Sequence, residues 1–198
     1  TTSDRLETRT NGKFRGIFWM IKYPTLIVNN FFENPNKIVE YSKTLEYNRS
    51  DWKQKNTEWP GVRTKSINYF NFDLFKFIFL KTLSYYYSIP EMKEFNLTGK
   101  AFFSKTTKED KKLYKKNEEI HKDLDSKLAG VIFLNKENDI KSGTTIYDDK
   151  LKVKLKTSNL FNSMICYDSN EYHGPSSLLK DRLTIPFFID TINLKSPY

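Results

Sequence analysis

A chain of 198 residues with 38% apolar and 16% aromatic side chains can bury one sizeable core, which excludes a disordered polypeptide. One cysteine, Cys166, excludes a disulfide framework and a cysteine-rich zinc site, and 7 glycines and 7 prolines exclude collagen-like and low-complexity classes. The net charge of +9 comes mostly from lysine, so solvated surface lysines are a simpler reading than a nucleic-acid footprint, for which clustered arginine is the better signal.

Thr1–Arg15 is polar and charged, with no apolar signal region, and no apolar run approaches the ~18 residues of a membrane-spanning helix. A soluble, cytoplasmic protein without membrane contact is expected. Phe14–Ile21 reads as a strand or extended segment and Thr25–Val28 as a short β-branched strand. Asn34-Pro35 then predicts an N-cap and first helical residue, continued at helical spacing by Ile38, Tyr41, Ser42 and Leu45. Residues 48–64 read as a loop. Phe72–Tyr87 reads as an apolar helix that stops before Pro90, with the aromatic series from Tyr69 onward as its core.

The second half changes character. Thr98–Lys105 reads as a strand, and Lys108–Lys116 as a charged short helix or mobile loop. Short apolar runs follow, separated by turn residues: Leu128–Asn135, Thr144–Tyr147, Val153–Leu155, Ser163–Tyr167 and Leu183–Ile189. Strands at that spacing suggest a sandwich or barrel, giving an α+β layout with the helices supporting one sheet.

Two histidines stand in the β half, His121 and His173. With a period of two, His121 and Asp123 point to one face of a strand. An imidazole and a carboxylate side by side, joined by a second imidazole from a distant strand, make the two-His-one-carboxylate set of non-haem Fe(II) oxygenases. Arg182 follows His173 by nine residues and opens the last apolar strand, where Thr184 shares its face.

In these residues the chain resembles the Fe(II)- and 2-oxoglutarate-dependent oxygenases. Their pattern is His-x-Asp, a distal His, an Arg shortly after it, then x-Ser or x-Thr; here it is met by His121, Asp123, His173, Arg182 and Thr184. Ala129–Asn135 is similar to the family strand after the first ligand pair. Ser142-Gly143-Thr144 is similar to its Gly-Gly-Thr strand, with Ser142 in place of the first glycine. The likeness covers residues 98–191, and Asn30-Phe31-Phe32 before a helix suits the prolyl-hydroxylase-like branch. It implies a double-stranded β-helix (jelly-roll, cupin-like) core over 98–191. Residues 1–97 would then supply helices packed on one sheet and substrate loops, all in one domain spanning 1–198.

The resemblance further implies that His121, Asp123 and His173 hold Fe(II). Arg182 and Thr184 would bind the far carboxylate of 2-oxoglutarate, through the paired donors that a lysine lacks and a hydroxyl. The partners implied are 2-oxoglutarate, O2 and an unknown primary substrate, with ascorbate as an optional reductant. The ligand carboxylate at Asp123 favours hydroxylation over halogenation, and a peptide or amino-acid side chain is the first substrate expectation. Family members that demethylate nucleic acids carry a second Arg further along the last strand; here Phe188 stands there, which disfavours a nucleic-acid partner.

Trp59-Pro60-Gly61-Val62-Arg63 is a distinctive turn, in which Trp59 and Arg63 either meet the substrate or pack a loop. Tyr114 and Asn117 precede the ligand pair where a further 2-oxoglutarate hydrogen bond is expected, with Phe103 and Ser104 as competing candidates. Tyr147 reads as a core or rim residue and Cys166 as a buried, inert thiol. The reading from another class is a cupin-like metal- or small-molecule-binding β-sandwich without 2-oxoglutarate chemistry, which has no need of Arg182 and Thr184 in this register.

Overall fold

The computed structural model describes residues 22–48, 61–88, 94–107, 110, 120–176 and 181–195. The segment expected as a strand over Phe14–Ile21, nearly all of Lys108–Lys116, and Trp59, Tyr114 and Asn117 lie outside the described residues. Among the described residues no helix is long and apolar enough to cross a membrane.

The elements run β1 (Leu26–Val28), α1 (Pro35–Lys43), β2 (Val62–Arg63), a 3-10 turn (Ile67–Tyr69), α2 (Phe72–Ser84), β3 (Glu94–Ala101), β4 (Ser104–Thr106) and β5 (Leu128–Phe133). They continue with β6 (Thr144–Tyr147), β7 (Val153–Lys156), β8 (Ser163–Asp168), β9 (Tyr172–Pro175) and β10 (Arg182–Lys195). A large antiparallel sheet has the order β1-β8-β5-β10-β4-β2, with β3 also on β10, and a small sheet has the order β7-β6-β9. The architecture is mostly antiparallel sheet with few helices, in keeping with a jelly-roll-like fold.

Two expected elements differ. The single strand over Thr98–Lys105 is two strands laid end to end along one edge of β10, with β3 opposite Phe187–Lys195 and β4 opposite Arg182–Thr184. The break falls opposite Pro186, whose carbonyl accepts from Phe102 N at 3.1 Å but whose ring nitrogen has no hydrogen to donate back. Phe103 N turns instead to Thr64 Oγ1 at 3.1 Å. The loop expected over residues 48–64 also ends in a strand, because β2 adds itself to the free edge of β4.

Period-two alternation gives the large sheet two faces of opposite use. Leu128 and Ile132 on β5, Met164 and Cys166 on β8, and Ile185, Phe187 and Ile189 on β10 form one buried cluster with the helix layer. That layer contributes Phe31, Phe32, Val39, Leu74, Ile78, Phe79 and Leu83, so α1 and α2 pack on one sheet. Each such burial contributes about 1.5–3 kcal/mol. The alternate residues Ala129, Phe133, Ile165 and Tyr167 turn the other way and meet Ile146 of β6, filling the space between the two sheets.

The helix ends follow from their caps. Asn71 accepts from Leu74 N at 3.0 Å and starts α2. Asn34 holds the N-cap position of α1 without a side-chain capping bond, and Pro35 alone sets the first turn. Helix α2 ends at Ser84, three residues short of expectation, as Tyr86 N and Tyr87 N both turn back to Leu83 O. The aromatic series is not uniformly core: Phe79 is buried, whereas Tyr69 is 78% and Phe72 62% exposed. Asn162, in the left-handed region at φ 60°, pins the Phe31-Phe32 segment. Its side chain both accepts from Phe32 N and donates to Phe32 O, each at 2.8 Å.

Candidate metal centre

His173 sits on β9 of the small sheet, opposite Ile146 of β6. On its other side lies His121, not in a strand as the alternation predicts but in a single antiparallel bridge. His121 N donates to His173 O, and His173 N to His121 O, both at 2.9 Å. This one pair carries the small sheet outward by one residue and brings the imidazoles together, tilted by 58°, with ring centroids 4.4 Å apart. Two residues on, Asp123 N donates to Ser169 O at 2.9 Å, which anchors the carboxylate beside both rings.

The ligand atoms of His121, Asp123 and His173 all lie within 4.8 Å of one another. Asp123 Oδ1 is 3.6 Å from His121 Nε2, and Oδ2 is 3.2 Å from His173 Nε2. His173 is buried, while Asp123 and His121 are half-buried, so the cluster opens on the His121 side. His173 Nδ1 lies 3.0 Å from the Glu171 carbonyl oxygen. A carbonyl can only accept, so Nδ1 carries the proton and Nε2 presents a lone pair in the neutral ring. The Glu171 carboxylate is itself held by Lys22 at 2.7 Å and Lys154 at 2.9 Å.

Burial pushes the Asp123 carboxyl up, but with the rings in their cationic form the hydrogen bond from His173 Nε2 and the charges of His173, His121 and Arg63 outweigh it and hold it below the usual carboxylate range. The donor set therefore fits a divalent transition metal: two imidazole nitrogens and one ionised carboxylate on one side, with the rest of a coordination sphere open. His121, Asp123 and His173 could hold such an ion.

The facing wall is the inner face of the large sheet. Thr184 is buried opposite Phe133 of β5 and Ser104 of β4. Arg182, two residues earlier on the same face, lays its guanidinium 5.1 Å above the Phe133 ring. Arg63 on β2 is opposite Ser104 and shares that face. Of the two competitors for a further hydrogen bond, Phe103 turns to the helix cluster, away from the metal cluster, and Ser104 turns inward. Tyr147 is half-buried at the end of β6, beside Tyr172. Phe188 packs on the inner cluster, with Lys100 Nζ 5.6 Å from its ring.

One residue at the site carried no motif. Tyr167 is buried on β8 with its ring centroid 4.5 Å from that of His173. Burial, then the negative charge of Asp123, pushes its phenol well above the ordinary value, against the pull of Arg182. Tyr167 thus keeps a neutral hydroxyl. Counting in twos along Ser163–Asp168 from the inward Ser163 was the only signal for it.

No family model and no curated protein matches this sequence. Solved structures do match. A 2OG-Fe(II) oxygenase family oxidoreductase from Burkholderia pseudomallei aligns with TM-score 0.52 at 10% identity, over 87% of this chain and 86% of that one. A Pseudomonas putida prolyl-4-hydroxylase aligns with TM-score 0.49 at 10% identity, over 84% of this chain and 92% of that one. In fold, this chain is similar to the solved 2OG-Fe(II) oxygenase.

Proposed function

We propose that this chain is an Fe(II)- and 2-oxoglutarate-dependent dioxygenase that hydroxylates a peptide or amino-acid side chain, built on a double-stranded β-helix. The observation that carries the reading is the convergence of His121, Asp123 and His173 within 4.8 Å, opposite a sheet face that bears Arg182 and Thr184. The catalytic core is residues 98–191, and residues 1–97 give the helical support and substrate loops of the same domain.

His121, Asp123 and His173 would hold the iron, which supplies the O2 activation that protein side chains cannot. The Glu171 carbonyl fixes the tautomer of His173 and so aims Nε2. Arg182 offers two parallel N–H donors to the far carboxylate of 2-oxoglutarate, and Thr184 adds a hydroxyl donor. Phe133, Ile146 and Tyr167 line the interior between the sheets and exclude water from it. A carboxylate at 123 fills the position that a halide needs, which directs the reaction to hydroxylation.

The test follows succinate formation from 2-oxoglutarate under O2 with added Fe(II), with and without ascorbate, across amino acids and short peptides. Succinate in wild type, none in His121→Ala and a requirement for roughly 30-fold more 2-oxoglutarate in Arg182→Ala is the expected pattern. A folded wild type that binds metal and gives no succinate with any of these would replace this reading by the cupin-like binding protein.

A further inference from the structure

Arg63 is a second arginine on the inner face, and the proposed handling of iron and 2-oxoglutarate does not use it. Its strand, β2, is two residues long and is the last strand of the large sheet among the described residues. The register is unambiguous: Arg63 pairs with Ser104, Ser104 with Thr184, and Thr184 with Phe133. Cross-strand partners point to the same face. Arg63 therefore stands in the row that ends on the inner cluster, at the rim of the space between the sheets. Its guanidinium carbon lies 5.7 Å from the Phe102 ring, which shares that face.

The backbone is shaped to deliver this side chain. Gly61, two residues before Arg63, has φ 92°, and a Cβ there would run into the Lys105 carbonyl oxygen. Only glycine lets the chain come this close to β4 and pair at once. Arg182 lies on β10, two strands and about 10 Å of backbone away, where it answers the co-substrate. Guanidinium in that position suits a second anion, and its fork of donors matches a carboxylate.

We infer that Arg63 binds a carboxylate of the primary substrate, so that the substrate is a carboxylic acid or carries an acidic side chain; the inference rests on the oxygenase reading above. Arg63 is the specificity-determining contact, and the iron face and Arg182 do not depend on it.

Calorimetry on the full chain tests this in two stages. Mn(II) and then 2-oxoglutarate are titrated into wild type, Arg63→Gln and Arg63→Lys, with thermal unfolding of each as a check on folding. Equal affinities in all three are expected, and absence of both bindings from folded wild type overturns the oxygenase reading itself. The loaded proteins then meet three sets of probes: free amino acids and short monocarboxylic acids, their primary amides, and N-acetylated amides of aspartate and glutamate. A response confined to carboxylates, weakened roughly 30-fold or more in Arg63→Gln and partly kept in Arg63→Lys, is the expected result. Response in the first set alone assigns a free acid, and response in the third assigns an acidic side chain. Amides binding as well as acids, no carboxylate binding at all, or an Arg63→Gln protein that binds acids like wild type would each overturn the inference while leaving Mn(II) and 2-oxoglutarate binding intact.

Discussion

The two faces of the large sheet are made by the same strands and do opposite work. Met164 and Cys166 of β8 and Ile185 and Phe187 of β10 turn to the helices, and every one of them is fully or almost fully buried. Tyr167 and Thr184, one residue along, and Arg182, two residues before Thr184, turn instead to the small sheet and its His-Asp-His cluster. The outer face carries stability and tolerates little change of volume, because its partners are close-packed side chains. The inner face carries polar groups at some cost and gains a site. A substitution on one face should therefore be read in unfolding, and one on the other in ligand binding.

The largest effect on stability is expected at Phe187, fully buried against Phe79 and Ile185. Phe187→Ala removes a ring from the outer face and should cost about 3–5 kcal/mol in denaturant unfolding. If metal affinity of the folded fraction fell as much as stability, the two faces would not be separable. His173→Ala should do the reverse: metal affinity falls by more than about 100-fold, beyond what loss of an outer-sphere partner costs, with a smaller loss of stability than Phe187→Ala. A metal titration beside an unfolding curve decides it.

Gly130 sharpens the contrast because its missing side chain makes room for the Phe187 ring on the outer face. A Cβ there would press on the Phe187 ring and stand 2.7 Å from the Ile165 carbonyl oxygen. Gly130→Ala is expected to cost about 1–3 kcal/mol and to be worse in a Phe187-containing protein than in Phe187→Ala. Arg182→Lys should weaken 2-oxoglutarate binding roughly tenfold, since the paired donors are lost while the charge remains, and should shift Tm hardly at all.

The smallest effect concerns pH. Burial pushes the Cys166 thiol from 9.0 up to about 12. A raised thiol favours the folded state below its unfolded value, so its contribution is complete below pH 9 and is lost as pH rises toward 12. Cys166→Ala should flatten the alkaline limb of the stability curve, and native protein should resist thiol reagents at neutral pH. Asp123 and Glu171, both held below the usual carboxylate range, work on the other side: their contribution is present above that range and is lost as pH falls below it.

Much of the outer face was legible in the sequence, because alternation along Leu128–Phe133 and Ser163–Asp168 needs only a period of two. The pairing of His121 with Asp123 was legible for the same reason, although the segment forms one bridge instead of a strand. Strand β9 was harder: Tyr172–Pro175 is four residues with a glycine and a proline, and only pairing with β6 makes it extended. The break between β3 and β4 depends on Pro186, more than eighty residues away, and local pattern cannot carry that information. Tyr167 shares this property: it is an ordinary residue until register places it on the inner face. Arg63 stood out in its turn, but the face it shares needed the register as well.

The central claim is that the His-Asp-His cluster and the inner face opposite it form a metal and co-substrate site. Anaerobic addition of Fe(II) and 2-oxoglutarate to wild type, followed by visible spectroscopy, tests it most directly. A charge-transfer band that is lost in His121→Ala and needs more 2-oxoglutarate in Arg182→Ala is the predicted result. Folded wild type with no band, or a band untouched by His121→Ala, would contradict the account.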